Sequence, residues 1–172
     1  MSGWDPTTLP SQAGRTIVVT GAGRGVGYFT AEQLAVASAR VIITTRGDAT
    51  RALECLRRAA PGADVSAVTL DVASLASIRA AAPQLAALGP IDVLINNAGK
   101  TSGSKQREVT VDGLEIMVGT NALGPFALSA QLWPALADDA RIISLGSLST
   151  RLAKADLTDL QGERRYSLSR AY

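Results

Sequence analysis

The sequence predicts an α/β protein built on a doubly wound parallel sheet. Short apolar runs alternate with helix-like segments, the runs are β-branched and apolar on both faces, and a cluster of glycines follows the first run. Strands that helices cover on both faces have such continuous apolar runs, and strict alternation of strand and helix implies right-handed crossovers. We therefore expect one domain, residues 1–172, with five strands in the spatial order 3-2-1-4-5.

Each element follows from its local pattern. The five strands are predicted from apolar runs at 16–20, 40–45, 65–70, 91–95 and 141–145. Helices are predicted at about 25–38, 49–60, 75–88 and 111–136, the last with a break near Gly113. Ser74 is expected to cap the third helix, because serine often accepts a hydrogen bond from the first turn. The polar stretch 150–172 predicts a loop that leads towards a helix.

Composition and charge exclude several classes of function. A net charge of +2 with scattered lysines and arginines argues against nucleic-acid binding. The absence of histidine excludes a Ser-His-Asp triad and a histidine-bound metal, and we predict no metal site. Cys55 is the single cysteine, so no disulfide forms within the chain. No apolar stretch is long enough for a signal peptide or a membrane span, so the expected location is the cytoplasm.

Glycines separate the first predicted strand from the first predicted helix. Glycine permits a sharp turn with positive φ and lets a pyrophosphate approach the backbone closely. The helix that follows offers free N–H groups and the positive end of its dipole to that anion. The pattern therefore predicts a nucleotide-binding loop made of Gly21, Gly23, Arg24, Gly25, Val26 and Gly27.

Several motifs resemble the short-chain dehydrogenase/reductase family. The spacing Gly21-x3-Gly25-x-Gly27 resembles the family's fingerprint, and residues 96–99 (Asn-Asn-Ala-Gly) resemble a second signature after strand four. Residues 119–126 resemble the helix of the catalytic asparagine, and residues 159–172 resemble the retinol-dehydrogenase and protochlorophyllide-reductase-like subgroup. The resemblance runs from about residue 14 to the last residue. It implies a Rossmann-type fold whose C-terminal strands and helices are missing from this chain.

The resemblance also implies catalytic roles. In this family a tyrosine hydroxyl is the acid/base, a serine orients the substrate oxygen and an asparagine orders a water, which assigns Tyr172, Ser147 and Asn121. Tyrosine has a pKa near 10 and needs nearby positive charge to work near neutrality. The family's lysine, four residues after the tyrosine, is absent because the chain ends at Tyr172. Tyr166 and Ser149 are less favoured alternatives.

The residues that would hold the cofactor follow from the same comparison. In NAD-preferring members an acidic residue at the end of strand two binds the ribose 2′-hydroxyl, but here the position is Thr45 or Arg46. Arg46, with Arg24, suits a 2′-phosphate, so NADP(H) is expected in preference to NAD(H). The resemblance places Asp71 and Val72 beside the adenine. It places Asn97, Ala98 and Gly99 near the nicotinamide ribose.

The expected function is NADP(H)-dependent hydride transfer between nicotinamide and a carbonyl or alcohol of an apolar small molecule. A homo-oligomer is a further expectation, because family members often pair through the helix that carries the asparagine. The isolated chain is expected to have negligible turnover and poor solubility. The alternative is a catalytically dead NADP(H)-binding or partner-binding module.

Overall fold

A computed structural model describes residues 9–101, 103–148 and 156–171, except the side chains of residues 169 and 170. Its parallel strands are β1 (Thr16–Thr20), β2 (Arg40–Thr45), β3 (Val65–Thr69), β4 (Ile91–Asn96) and β5 (Leu136–Ser144). They form one sheet in the order β3-β2-β1-β4-β5, which confirms the predicted order. Ile17 of β1 lies opposite Val41 of β2 on one side and Val93 of β4 on the other.

The strands alternate with helices along the chain. The described helices are α1 (Gly25–Val36), α2 (Thr50–Ala59), α3 (Leu75–Ala86), α4 (Ile116–Val118), α5 (Gly124–Leu132) and α6 (Leu168–Ala171). A π-helical turn (Gly119–Leu123) joins α4 to α5, and a 3-10 turn (Trp133–Ala135) joins α5 to β5. The result is a Rossmann-like α/β fold, as predicted.

The side chains of the central strands enter two separate cores. Ile17 and Val19 belong to the core under α1 and α2, whereas Val18 belongs to the core that contains Ile78 of α3 and Leu128 of α5. Successive side chains of a strand point to opposite faces of the sheet, so this alternation shows that helices cover both faces of β1. The doubly wound arrangement positions the loops at the carboxyl ends of the strands along one edge of the sheet.

Two of the predicted boundaries are wrong. The helix predicted at 111–136 begins only at Ile116, because the buried Glu115 carboxylate accepts hydrogen bonds from the N–H groups of Met117 (3.0 Å) and Val118 (2.8 Å). The strand predicted at 141–145 begins much earlier, at Leu136. Its pairing with β4 is irregular, since β4 pairs with Leu136 at one point and next with Arg141.

Helices do not cover both faces of β5 as they cover those of the central strands. Ile142 and Ile143 point to opposite faces, and they are 40% and 44% exposed. β4 flanks one edge of β5, and no strand within the described residues flanks the other. A strand with this apolar sequence is therefore left open on both faces and along one edge.

Candidate active site

The glycine loop ends where α1 begins, and the start of that helix is open to an anion. Arg24 is the N-cap residue, but its side chain makes no capping hydrogen bond, and the first turn carries no acidic residue. The first N–H groups of a helix need partners from outside the helix. Gly21 (φ +66°) and Gly25 (φ +61°) adopt the left-handed backbone that a tight turn here requires. The loop can therefore present backbone donors to a phosphate.

A hydrogen-bond network fixes the loop against the end of β4, and its centre is Thr20. The Thr20 hydroxyl accepts from the N–H groups of Asn97 (3.0 Å) and Ala98 (2.9 Å) and donates to the Ile95 carbonyl (3.3 Å). The Asn97 side chain donates in turn to the Thr20 carbonyl at 2.7 Å. Sequence reasoning missed Thr20, because its partners lie more than seventy residues away along the chain.

The same network explains why two loop positions are glycine. A Cβ atom on Gly27 would collide with the Asn97 amide nitrogen and lie 2.8 Å from the Gly21 carbonyl oxygen. A Cβ atom on Gly21 would lie 2.8 Å from the Ala98 Cα. The first turn of α1 and the loop after β4 are thus in direct contact, and any side chain would separate them.

The end of β2 presents positive rather than negative charge to this region. Arg24 and Arg46 are exposed, and neither guanidinium forms a hydrogen bond or an ion pair with the part of the chain that the structure describes. Asp48 is the nearby carboxylate, but it accepts from the Thr50 hydroxyl (2.6 Å) and the Thr50 N–H (2.9 Å). Those bonds lower the pKa of Asp48, the hydroxyl bond contributing most. Asp48 is therefore already engaged at the start of α2.

Asp71 and Val72 form the turn between β3 and α3. The Asp71 carboxylate accepts from the Ala73 N–H at 2.9 Å, and the Ser74 hydroxyl accepts from the Ser77 N–H at 3.2 Å, which confirms Ser74 as the cap of α3. Val72 is buried, and its carbonyl lies so close to Gly124 that a Cβ atom there would collide with it. The turn is thus held tightly against the start of α5.

Asn121 lies in the π-helical turn, a feature that often marks functional sites. Its side chain accepts from the Lys100 N–H at 2.7 Å and donates to the Lys100 carbonyl at 2.8 Å. A Cβ atom on Gly99 would lie 3.2 Å from the Asn121 side-chain oxygen. The structure therefore brings Asn121 together with the loop that carries Asn97, Ala98 and Gly99.

Of the two candidate acid/base tyrosines, the structure describes Tyr166 alone. Tyr172 lies outside the described residues, as does Ser149. Tyr166 is half-buried, and its hydroxyl faces the Glu115 carboxylate at 3.5 Å. Burial raises the pKa of Tyr166, and the negative charge of Glu115 raises it further. Arg107 acts in the opposite direction but is outweighed, so Tyr166 lacks the net positive surroundings that an acid/base tyrosine needs.

Ser147 lies three residues beyond the end of β5 and is half-buried. Just before Ser147, the Leu145 N–H donates a hydrogen bond to the Asn96 carbonyl at 3.0 Å and holds the chain beside the end of β4. Ser147 therefore lies at the same edge of the sheet as the glycine loop and the loop after β4.

An apolar groove of about 750 Å³ lies between α5 and β5 and includes Asn121. Its lining includes the apolar side chains of Phe126, Trp133 and Ile142. Asn96 also lines the groove, donating from its amide to the Ser129 hydroxyl at 3.2 Å, but its side-chain oxygen has no donor within the described residues. The groove therefore combines an apolar wall with one buried acceptor.

Two classes of site receive no support from the described residues. No group of three or more cysteine or acidic side chains lies close enough together to hold a metal ion. In the same part of the chain, no helix has both the length and the apolar character needed to cross a membrane.

The fold and the loops at the carboxyl ends of its strands define a Rossmann-like α/β protein. The family model described as short chain dehydrogenase matches residues 15–158. The chain belongs to the short-chain dehydrogenase/reductase family, a family of oxidoreductases, and within it to the retinol-dehydrogenase-like subgroup.

Individual relatives agree with this placement. The chain is 39% identical to polyprenol dehydrogenase of Mus musculus over 97% of its own length and 52% of that protein. It is 36% identical to retinol dehydrogenase 12 of Mus musculus over 96% of its length and 54% of that protein. The solved RhlG/NADP active-site complex of Pseudomonas aeruginosa matches with a TM-score of 0.70 and 33% identity, over 94% of this chain and 63% of that one. The chain thus spans about half the length of the curated relatives it matches.

Proposed function

We propose that this chain is the nucleotide-binding part of an NADP(H)-dependent oxidoreductase. The observation that carries the proposal is the charge around the glycine loop. The uncapped start of α1 suits a pyrophosphate, while Arg24 and Arg46 remain unpaired within the described residues. The carboxylate that would repel a 2′-phosphate, Asp48, is bonded to Thr50 instead. An arginine fork is well suited to a phosphate monoester.

The substrate we propose is a carbonyl or alcohol on a long apolar molecule. The names of two relatives, polyprenol dehydrogenase and retinol dehydrogenase, both refer to apolar isoprenoid alcohols. The bound nicotinamide would supply or accept the hydride at the substrate carbon. Ser147 would orient the substrate oxygen, Tyr172 would transfer the proton, and Asn121 would hold an ordered water.

The remaining cofactor contacts are assigned from position. Asp71 would accept from the adenine amine while Val72 packs against the ring. Asn97, Ala98 and Gly99 would lie beside the nicotinamide ribose, because Thr20 and Asn121 fix that loop from two sides. We expect negligible turnover from the 172-residue polypeptide alone, since burial and the Glu115 carboxylate raise the pKa of Tyr166, the alternative acid/base.

A fluorescence titration with NADPH and with NADH tests the cofactor assignment. We expect NADPH to bind more tightly, and Arg46→Asp to remove that preference by weakening NADPH about tenfold or more, because a charge-assisted contact to the 2′-phosphate is lost. Arg79→Asp is the matched control, since Arg79 is an exposed arginine on α3. It makes the same charge change away from the loop and should leave both affinities unchanged.

Equal affinity of the unaltered chain for both nucleotides would overturn the NADP(H) assignment while leaving nucleotide binding intact. Binding of neither nucleotide by a chain that circular dichroism shows to be folded would overturn the whole proposal. A loss that is equal in Arg46→Asp and Arg79→Asp would show that net charge, and not a specific contact, decides the affinity.

The open α5–β5 face favours a second function, a module that binds nucleotide and a partner protein without catalysis. Cofactor binding without turnover, in the presence of a partner, would support it. A cytoplasmic location remains a prediction, which fractionation of cells that express the chain would check.

A further inference from the structure

Gln161 joins two segments of the chain that lead to candidate catalytic residues. It lies in residues 156–166, which we name the 156–166 segment and which precede Tyr172 in the sequence. Its side-chain oxygen accepts a hydrogen bond from the Glu115 N–H at 2.7 Å, and its carbonyl accepts from the Arg107 Nε–H at 2.7 Å. Two bonds to separate points of the preceding loop fix the direction of the segment as well as its distance.

Glu115 belongs to both sides of this contact. It is 1% exposed, and one carboxylate oxygen accepts from the N–H groups of Met117 and Val118, which begin α4. The other oxygen faces the Tyr166 hydroxyl at 3.5 Å. A buried carboxylate needs donors for its oxygens, so Glu115 is fixed by the start of α4. Tyr166 reaches it only while the 156–166 segment lies against that helix.

Apolar side chains close the same junction. A Cβ atom on Gly103 would lie 3.3 Å from the Met117 Cε and 3.6 Å from the Leu168 Cδ1. Gly103 thus lies beside a side chain of α4 and a side chain of α6. The junction therefore combines the hydrogen bonds of Gln161 with apolar packing from the helix that follows the 156–166 segment.

We propose that Gln161, acting through Glu115, is a positioning residue that sets where the chain leading to Tyr172 lies relative to Asn121. The inference rests on the proposed function, which assigns the proton transfer to Tyr172 and the ordered water to Asn121. Gln161 acts by holding two segments together and not by contact with a reacting atom. A misplacement of about 1 Å can cost a reaction about a hundredfold in rate, so such an anchor matters to the chemistry.

The Tyr166 phenol reports whether the 156–166 segment lies against α4. Burial raises the pKa of Tyr166 most, the Glu115 carboxylate and the charge of Glu108 raise it further, and Arg107 acts in the opposite direction. A segment that leaves α4 exposes Tyr166 to water and takes it away from Glu115. The pKa of Tyr166 should then fall towards its ordinary value near 10.

The test is a phenolate absorbance titration without nucleotide, in a Tyr28→Phe, Tyr172→Phe background where Tyr166 is the remaining tyrosine. Gln161→Met removes the acceptor at nearly the same volume, so the pKa of Tyr166 should fall towards 10. Gln161→Glu keeps an acceptor oxygen at the same place and should keep the pKa raised. Gln84→Met makes the same change at an exposed glutamine of α3 and should leave the titration unchanged. Circular dichroism shows that each variant is folded.

The proposal fails if a folded Gln161→Met chain titrates as the background chain does, because other contacts then hold the segment. It also fails if Gln161→Glu shifts the titration as far as Gln161→Met, because the acceptor then has no role. A Tyr166 that titrates near 10 in the background chain would overturn the docking directly, even if no Gln161 variant folds.

The result for Tyr166 does not depend on nucleotide binding, so the two proposals can fail separately. The expected titrations in a chain that binds neither NADPH nor NADH would leave the contact standing and remove its catalytic role. NADPH binding with an unshifted Gln161→Met titration would leave the proposed function standing and remove the role of Gln161.

Discussion

β2 and β5 share a short apolar motif that follows an arginine, yet the two motifs occupy opposite environments. An arginine is followed by Val41, Ile42 and Ile43 in β2 and by Ile142 and Ile143 in β5. The three residues of β2 are fully buried, whereas the two of β5 are each at least 40% exposed. β2 has β1 and β3 on its two edges, while β5 has β4 on one edge alone among the described strands.

The difference teaches that the local sequence decides that a segment is a strand, and its neighbours decide how deeply it is buried. β-branched residues favour extended backbone in both segments. Burial of Ile42 depends on helices and strands contributed by distant parts of the chain, including Leu94 and Leu128 in the same core. Burial of apolar side chains therefore stabilises β2 much more than it stabilises β5.

The largest expected effect contrasts one isoleucine in each strand. Ile42→Ala should lower the free energy of unfolding by about 2–5 kcal/mol, because it leaves a cavity in a closed core. Ile142→Ala should lower it by about 1 kcal/mol or less, because the side chain is already partly in water. Urea unfolding followed by circular dichroism, at a concentration where the chain is monomeric, measures both. Equal losses would break the comparison, since they would mean that β5 is covered in solution.

A second prediction contrasts two glycines of the loop between β1 and α1, which lies beside the buried central strands and not beside β5. Gly27→Ala should weaken nucleotide binding about tenfold or more, because the new methyl group pushes α1 away from Asn97. Without nucleotide, Gly25→Ala places its methyl group in open space and carries only the backbone strain of its positive φ, about 1–2 kcal/mol. Thermal unfolding of both variants without nucleotide compares the two positions, and NADPH titration measures the loss of binding. A smaller loss of stability in Gly27→Ala than in Gly25→Ala would contradict the close contact between Gly27 and Asn97.

The smallest expected effect concerns the tyrosines. Tyr28, on α1, donates to Glu32 at 2.8 Å, and burial together with that bond raises its pKa to about 12. Because the unfolded chain releases this proton near pH 10 and the folded chain does not, stability should fall as the pH rises from about 10 to about 12. Tyr28→Phe should remove this dependence, along with the last step of the phenolate absorbance titration. If that step persists in Tyr28→Phe, the assignment is wrong and Tyr166 becomes the candidate.

Much of the fold could be predicted because its signals are local. The five strands, their order and the cap at Ser74 all follow from short patterns of apolar and polar residues. The start of the helix after β4 could not, because it depends on Glu115, whose carboxylate satisfies the first N–H groups in place of a common capping residue. The first N–H group of α3 is likewise bonded by Asp112, which lies 37 residues further along the chain.

The candidate site also contains features that local sequence predicts and features that depend on distant segments of the chain. The glycine loop was predictable, since its residues are consecutive and their conformational demands are known. Thr20 was not, because a threonine at the end of a strand shows its function only when the end of β4 lies beside it. The bond between Asn121 and the Lys100 backbone also joins segments that the sequence separates. The resemblance to a family identified Asn121, but it did not reveal that contact.

Because Asn121 lies in a π-helical turn, its position could change while the helix around it stays folded. A π turn uses an i→i+5 hydrogen bond, one residue longer than the bond of an α turn. Deleting one residue from Gly119–Leu123 would let the helix close as an ordinary α-helix, with Met117 and Leu128 still facing the core. Asn121, however, would rotate away from Lys100. A one-residue deletion is thus a single evolutionary step that would keep the fold and remove the Asn121–Lys100 contact from the candidate site.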